Sequence, residues 1–239
     1  MGKFAKGLAF LRLWIGRYAG IDVYLHWTWI LMMASVFFFI SWEMGCFLIT
    51  TFSCVLLHEF GHCLAAKKVG WNVKNVHLFP IGGVAQIDME IAEPKKELFV
   101  TACGPLVNLV LAPIFLSLAY LSFTPMVEPD SFLDSQNSWC LLMTGLGIVN
   151  STMLIFNLLP IFPMDGGRIF RSTYALLGGN YVRATKVAVR LGQVGALVFG
   201  AVGLWFGIFL WPVVAVLLMF GAEAELRRTL THHEDFLEV

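Results

Sequence analysis

His58, Glu59 and His62 stand as His-Glu-x-x-His inside the apolar run Leu56–Leu64. Residues four apart on an α-helix share one face, a turn apart. His58 and His62 can therefore aim two imidazoles at one point, the spacing a zinc ion needs. Glu59 is rotated away from that axis. It is better placed to hold a water beside the ion than to complete the coordination. The bland alternative is a chance match in a core helix. The surroundings weigh against it. From Gly45 to Ala66 the only other ionisable groups are Cys46, Cys54 and Cys63. That run is long enough to span a bilayer, which takes about 20 apolar residues. An acidic side chain at mid-membrane costs roughly 2.5–3.5 kcal/mol on insertion scales, and a bound metal would offset such a cost.

A second stretch bears on the same chemistry. In Asn157–Arg168, Pro160 and Pro163 break a helix and Gly166 and Gly167 follow Asp165. Asp165 can complete a two-His, one-carboxylate zinc site with an open fourth position for water. The competing reading makes Asp165 the cap of a helix over Arg168–Leu177. Other polar residues have weaker claims. Asn108, in Gly104–Asn108, either hydrogen-bonds across helices or reaches the metal site. His26 reads as an interfacial histidine beside Trp27 and Trp29, with a site residue that helps water or substrate enter as the less favoured reading, and His77 as a surface histidine. His232 and His233 read as solvated, and the connection Thr124–Ser138 suggests no chemistry. The five cysteines show no metal-ligand spacing, and most fall in apolar runs where cysteine behaves as a small apolar residue. A disulfide between Cys46 and Cys140, both near the expected outer face, is the less favoured reading.

The elements that must position these residues follow from composition. The chain has 239 residues, 58% hydrophobic and 13% charged. Soluble domains carry about 25% charged residues. This is a polytopic membrane protein with no nucleic-acid-binding character. Apolar runs predict six spans: Ile21–Trp42, Gly45–Ala66, Leu98–Phe123, Trp139–Ile161, Leu191–Phe206 and Ile208–Glu223. All 16 Lys and Arg lie before the first span, between the second and third, between the fourth and fifth or at the fifth's entry, or after the sixth. The positive-inside rule then puts both termini in the cytoplasm. Gly207 and Trp211-Pro212 offer the turn between the last two spans. Met1–Arg17 reads either as a basic amphipathic arm on the membrane surface or as a flexible charged arm. Val23 and Leu25 suggest a short strand before the first helix. Asn72–Phe79 and Val84–Met89 flank a turn at Pro80–Gly83 and predict a hairpin. That hairpin lies on the cytoplasmic surface or dips into the membrane, and its edge could pair with an extended substrate. Arg171–Arg190 reads as a cytoplasmic linker with a turn at Gly178–Asn180, and Thr231–Asp235 as part of a mobile polar tail.

The fold class expected is thus an all-α polytopic membrane protein of about six transmembrane helices, with a small β-hairpin or sheet at the cytoplasmic membrane face. Its parts are a basic arm over residues 1–20, a transmembrane domain over 21–226 and a polar tail over 227–239. The domain has its core at about 21–170 and outer helices at about 191–223.

These residues resemble the site-2 protease family of intramembrane zinc metalloproteases. The likeness rests on His58–His62, Phe79–Gly83, Gly104–Asn108, Asn157–Pro160 and Met164–Arg168, in that order, with the Gly20–Trp27 entry. It implies His58, His62 and Asp165 as ligands of one Zn²⁺ per chain, with Glu59 as acid and base. It implies that Asn157, and Asn108 less strongly, steady the substrate or oxyanion. It implies that Gly82 and Gly83 belong to a membrane-dipping loop near the cleft. The expected substrate is a single-span membrane protein cut near its cytoplasmic end, in regulated intramembrane proteolysis. A membrane regulator would be a further partner. The chain resembles compact members without a PDZ or nucleotide-binding accessory domain. A zinc transporter or a non-catalytic membrane scaffold is the alternative. The oligomeric state is not legible.

Overall fold

The computed structural model describes residues 12–89, 93–122 and 135–237, with side chains described over 138–231 of the last segment. The arm up to residue 11, the acidic connection over 123–134 and the side chains of His232 and His233 lie outside the described residues. The chain forms two compact units, residues 1–88 with 106–154 and residues 89–105 with 155–239.

The first unit begins with a four-stranded sheet in the order β1 (Arg12–Tyr18), β2 (Ile21–His26), β3 (Asn72–Phe79), β4 (Gly82–Asp88). The β1–β2 and β3–β4 pairs are antiparallel and β2–β3 is parallel. The expected hairpin is therefore half of a larger sheet. Strand β1 corrects the reading of Met1–Arg17 as a helical or flexible arm, at least from residue 12 onward. Trp14, Ile15 and Tyr18 favour extended chain, and β2 offers an edge whose backbone groups need partners. Asp22 fixes the pairing: it accepts from Arg17 at 2.8 and 2.9 Å and from Trp14 Nε1 at 3.2 Å. The hydrogen bond from Arg17 holds the Asp22 carboxyl below its ordinary value.

Strand β3 is the buried middle of the sheet, with Val76 and Leu78 enclosed. His77 is buried as well, which corrects its reading as a surface histidine. Its ring stacks on Tyr24 at 5.2 Å, and the Arg12 guanidinium lies 4.4 Å from the Tyr24 ring centre. Burial and the Arg12 charge push the His77 pKa below its ordinary value.

Four helices belong wholly or partly to this unit: α1 (Trp27–Phe39), α2 (Trp42–Lys68), α3 (Pro94–Ser122) and α4 (Ser135–Leu158). His26 caps α1, its Nδ1 lying 2.7 Å from Thr28 Oγ1. Helix α2 starts where Ser41 Oγ accepts from Met44 N at 3.2 Å, and ends on Lys67 and Lys68. That charge order, Glu43 first and lysines last, complements the helix dipole. Ala119, Met143 and Leu146 form a core cluster with Phe47 and Phe115. The cysteines are unbridged, Cys46 and Cys140 included.

The second unit contains α5 (Asp165–Leu176), α6 (Tyr181–Trp205) and α7 (Leu210–Leu237). The expected linker Arg171–Arg190 is helical on both sides of its turn. Helix α6 begins ten residues before the predicted span, because Asn180 Oδ1 caps it by accepting from Arg183 N at 3.1 Å. Gly207, at φ +69°, lets the chain turn back, and Ile208 N closes the end of α6 on Gly203 O at 2.8 Å. Helix α7 then runs through Leu237, so the residues expected to form a mobile tail continue a helix. The run Ala222–Arg228 is built of strong helix formers, and buried Thr229 anchors it.

Among the described residues four helices are long and apolar enough to cross a membrane: α2, α3, Ser138–Leu158 within α4, and α6. This is a membrane protein. The predicted first span divides into β2 and the 13-residue α1, only about 20 Å at 1.5 Å per residue.

The core of the second unit gathers around Phe162, which is 1% exposed and packs with Ala188, Val189 and Ala222. The chain before α5 folds tightly over the helix start. A Cβ on Gly166 would stand 2.0 Å from Leu159 O, and one on Gly167 2.7 Å from Phe162 N. These neighbours are backbone and cannot swing aside. Gly166→Ala is therefore expected to destabilise the protein by about 3 kcal/mol, the upper part of the range for overpacking. Thermal unfolding in detergent, compared with Gly195→Ala where the nearest atom is 3.5 Å away, measures it.

Candidate metal centre

His58 and His62 lie on consecutive turns of α2, 5% and 8% exposed. Their Nε2 atoms are 3.2 Å apart, with the rings nearly perpendicular at 84°. Two nitrogens bound at 2.0–2.1 Å to one tetrahedral zinc stand about 3.3 Å apart. The pair is thus spaced as two ligands of a single ion.

The hydrogen-bond network around His58 supports this. Asn150 Nδ2 donates to Leu146 O at 2.8 Å, which leaves Asn150 Oδ1 to accept from Asn108 Nδ2 at 2.9 Å. Asn108 must then present Oδ1 to His58 Nδ1, 2.5 Å away. The assignment follows from the hydrogen-bond network. His58 carries its proton on Nδ1 and turns the Nε2 lone pair toward His62. A partner on the far nitrogen is the usual device that orients a metal-binding imidazole. Asn108 and Asn150 are both fully buried. Asn150 was not singled out in the sequence, since a lone Asn in an apolar span gives no local signal. Its spacing of 42 residues from Asn108 could only be seen in the fold.

Glu59 is half-buried, and its Oε2 accepts from Ala85 N at 3.0 Å. Strand β4 therefore lies against the helix face that carries Glu59. Gly83 makes that approach workable: a Cβ there would stand 2.7 Å from Glu59 Cγ and 3.2 Å from Val55 Cγ1. Gly82 starts the strand at φ +143° and has open space around its Cβ position. Of the two glycines, Gly83 is the one in contact with the candidate base.

Asp165 and Asn157 belong to the second unit. Asp165 is the first residue of α5 and half-buried, one position past the cap residue Met164. The expected capping helix thus starts at Asp165 itself, and Asp165 does not occupy its cap. Asn157 is half-buried in the last turn of α4.

Comparison with known proteins agrees with this chemistry. The profile of peptidase family M50 matches residues 46–136 and 126–200. A zinc metalloprotease of Methanocaldococcus jannaschii is 35% identical over 213 residues, covering 87% of this chain and 58% of that protein. Stage IV sporulation protein FB of Bacillus subtilis is 32% identical over 116 residues, covering 48% of this chain and 35% of that protein. The chain spans about half the length of the curated relatives it matches. Among solved structures, the site-2 protease from Methanocaldococcus jannaschii superposes with a TM-score of 0.58 at 31% identity, over 90% of this chain and 95% of that one. The matched stretch begins before His58 and runs past Asp165 in one order, and on this evidence the chain belongs to peptidase family M50, the site-2 protease family.

Proposed function

We propose that the protein is a zinc-dependent intramembrane endopeptidase that cleaves a transmembrane segment of a membrane-anchored protein. The observation that carries this reading is the His58–His62 pair, oriented by Asn108, inside a helix apolar enough to cross a membrane. Its substrate would be a single-span protein cut near the cytoplasmic end of the span, under the control of a membrane regulator. The protein itself would be multi-pass, with about six crossings and both termini cytoplasmic. That orientation rests on the Lys and Arg distribution.

His58 and His62 would hold one zinc, with Asp165 as third ligand, a set that leaves one coordination position open. Bound there, zinc would supply Lewis acidity toward a peptide carbonyl and acidify a water. The rest falls to the chain. Glu59 Oε2 is held by Ala85 N, and the carboxylate takes the proton of the attacking water and returns it to the leaving nitrogen. Asn157 would donate to the developing oxyanion, a contact worth about 3–4 kcal/mol in well-studied hydrolases. The substrate must be locally unwound, because a helical carbonyl is hydrogen-bonded and screened.

The deciding experiment compares the detergent-purified protein with Glu59→Gln on a panel of single-span membrane proteins. The parent should hold one zinc per chain, cleave, and lose cleavage to a chelator until zinc is returned. Glu59→Gln should keep the zinc and cleave about 10³-fold more slowly, the scale of general acid–base catalysis. Equal processing by both proteins would refute the role of Glu59, and absence of zinc from both would refute the ligand set. Asn108→Ala removes the partner of His58 Nδ1 and should weaken zinc binding about 10–100-fold, read by competition with a chromogenic chelator. Gly83→Ala acts on the other half of the site. Its methyl must displace Glu59, so kcat should fall while zinc content stays at the parent level.

A further inference from the structure

The second unit holds a buried ionic cluster that the proposed chemistry does not use. Arg171 of α5 is 3% exposed and Glu97, near the start of α3, is also 3% exposed. Arg171 Nη2 donates to Glu97 Oε1. Its Nη1 reaches Glu225 Oε1 of α7 at 2.9 Å and donates to Thr229 Oγ1 at 3.3 Å. The other Glu97 oxygen accepts from Ser172 Oγ at 2.7 Å and from Tyr181 OH at 2.9 Å. The faces of the guanidinium are used as well: it lies 4.7 Å from the Tyr181 ring centre and 5.0 Å from that of Phe162. One side chain thus joins α3, α5, α6 and α7 to the loop that precedes α5.

That loop is the reason the cluster bears on metal binding. Phe162 is three residues before Asp165, and Arg171 is six residues after it on the helix that Asp165 begins. Asp165 therefore sits between two points that Arg171 binds to each other. The packing leaves the loop little freedom: a Cβ on Gly167 would strike Phe162 N, and one on Gly192 would stand 2.7 Å from Phe162 O. A carboxylate ligand has to be held within a fraction of an ångström of its productive position. Asp165 opens α5, in the first turn, where the helical hydrogen-bond ladder does not yet hold the backbone on its N-terminal side.

We propose that Arg171, with Glu97 and Glu225 as its counterions, is a positioning residue that sets the affinity of the metal site by fixing the backbone around Asp165. The proposal rests on the reading of Asp165 as a ligand. It calls for arginine specifically. A planar cation can fork to two carboxylates while stacking on rings, whereas an ammonium keeps the charge and loses the fork and the stack.

The experiment measures zinc affinity by chelator competition, and the absorption spectrum of the Co²⁺-substituted protein, on the full-length chain. Arg171→Lys, Glu97→Gln and Glu225→Gln are compared with Asp165→Ala and with Met33→Ala, a core truncation in the first unit. The expected result is a 10–100-fold loss of zinc affinity and a shifted Co²⁺ band in Arg171→Lys, with Met33→Ala within twofold of the parent at a similar loss of Tm. If Arg171→Lys does not fold, Glu225→Gln keeps the Glu97 pair and is read by the same criteria. Should Asp165→Ala bind zinc as the parent does, the ligand assignment falls and the proposal with it. Should Asp165→Ala lose zinc while the variants that fold among Arg171→Lys, Glu97→Gln and Glu225→Gln stay within twofold with an unchanged Co²⁺ band, the site stands and the positioning role is overturned.

Discussion

Imidazole and carboxylate groups on a helix that crosses an apolar medium must find their partners within the protein, because no water is there to supply them. Much of the first unit can be read as the answer to that demand. His58 leans on Asn108, Asn108 on Asn150, and Asn150 on the carbonyl of Leu146. Glu59 takes the amide of Ala85. Each link sets the orientation of the next, since an amide side chain that donates on one side must accept on the other. The relay reaches three helices, and it ends with a lone pair on His58 Nε2 directed toward His62.

The same demand explains why a sheet accompanies a helical protein. Ala85 can give its N–H to Glu59 only if β4 lies close against α2, and Gly83 permits that approach. Strand β4 in turn is held by β3, which is buried and parallel to β2. Strand β1 completes the sheet on its far side, with Asp22 fixing the register. A hairpin alone is marginally stable. The two additional strands give β4 a rigid support, and a carboxylate proposed as general base and held by a backbone amide would benefit from that rigidity.

How much of this was legible in the sequence depended on the range of the interaction. His58, Glu59 and His62 are local, and so is the break at Pro160 and Pro163 that sets Asp165 on a helix start. Strand β3 was readable from its composition, and its bounds agree with the prediction. Strand β1 was not, because Arg12–Tyr18 becomes a strand only once β2 offers an edge. Asn150 was silent for the same reason. Arg171 was counted among the cytoplasmic positive charges between the fourth and fifth spans, yet it is among the most buried side chains of its unit. Charge counting cannot tell a headgroup contact from an internal ion pair when the counterions, Glu97 and Glu225, lie 74 and 54 residues away. The bounds of two predicted spans, the first and the fifth, differ from the helices for a related reason. Hydropathy alone runs strand β2 into helix α1, and it cannot see that capping by Asn180 extends α6 backward.

Arg171 also bears on how such a cluster should be valued. A buried ion pair is weak evidence for stability, since desolvation of its members can exceed their attraction. Two carboxylates around one guanidinium make that balance less favourable still. An apolar set of the same volume could hold α3, α5, α6 and α7 together without the cost. It could not fix direction. The fork on Glu97 and Glu225 and the stack on Phe162 and Tyr181 together admit few orientations of the Arg171 side chain. Geometry held so narrowly suits a neighbouring residue whose own tolerance is small. In the second unit the residue that would meet this description, as a proposed metal ligand, is the carboxylate that opens α5, Asp165.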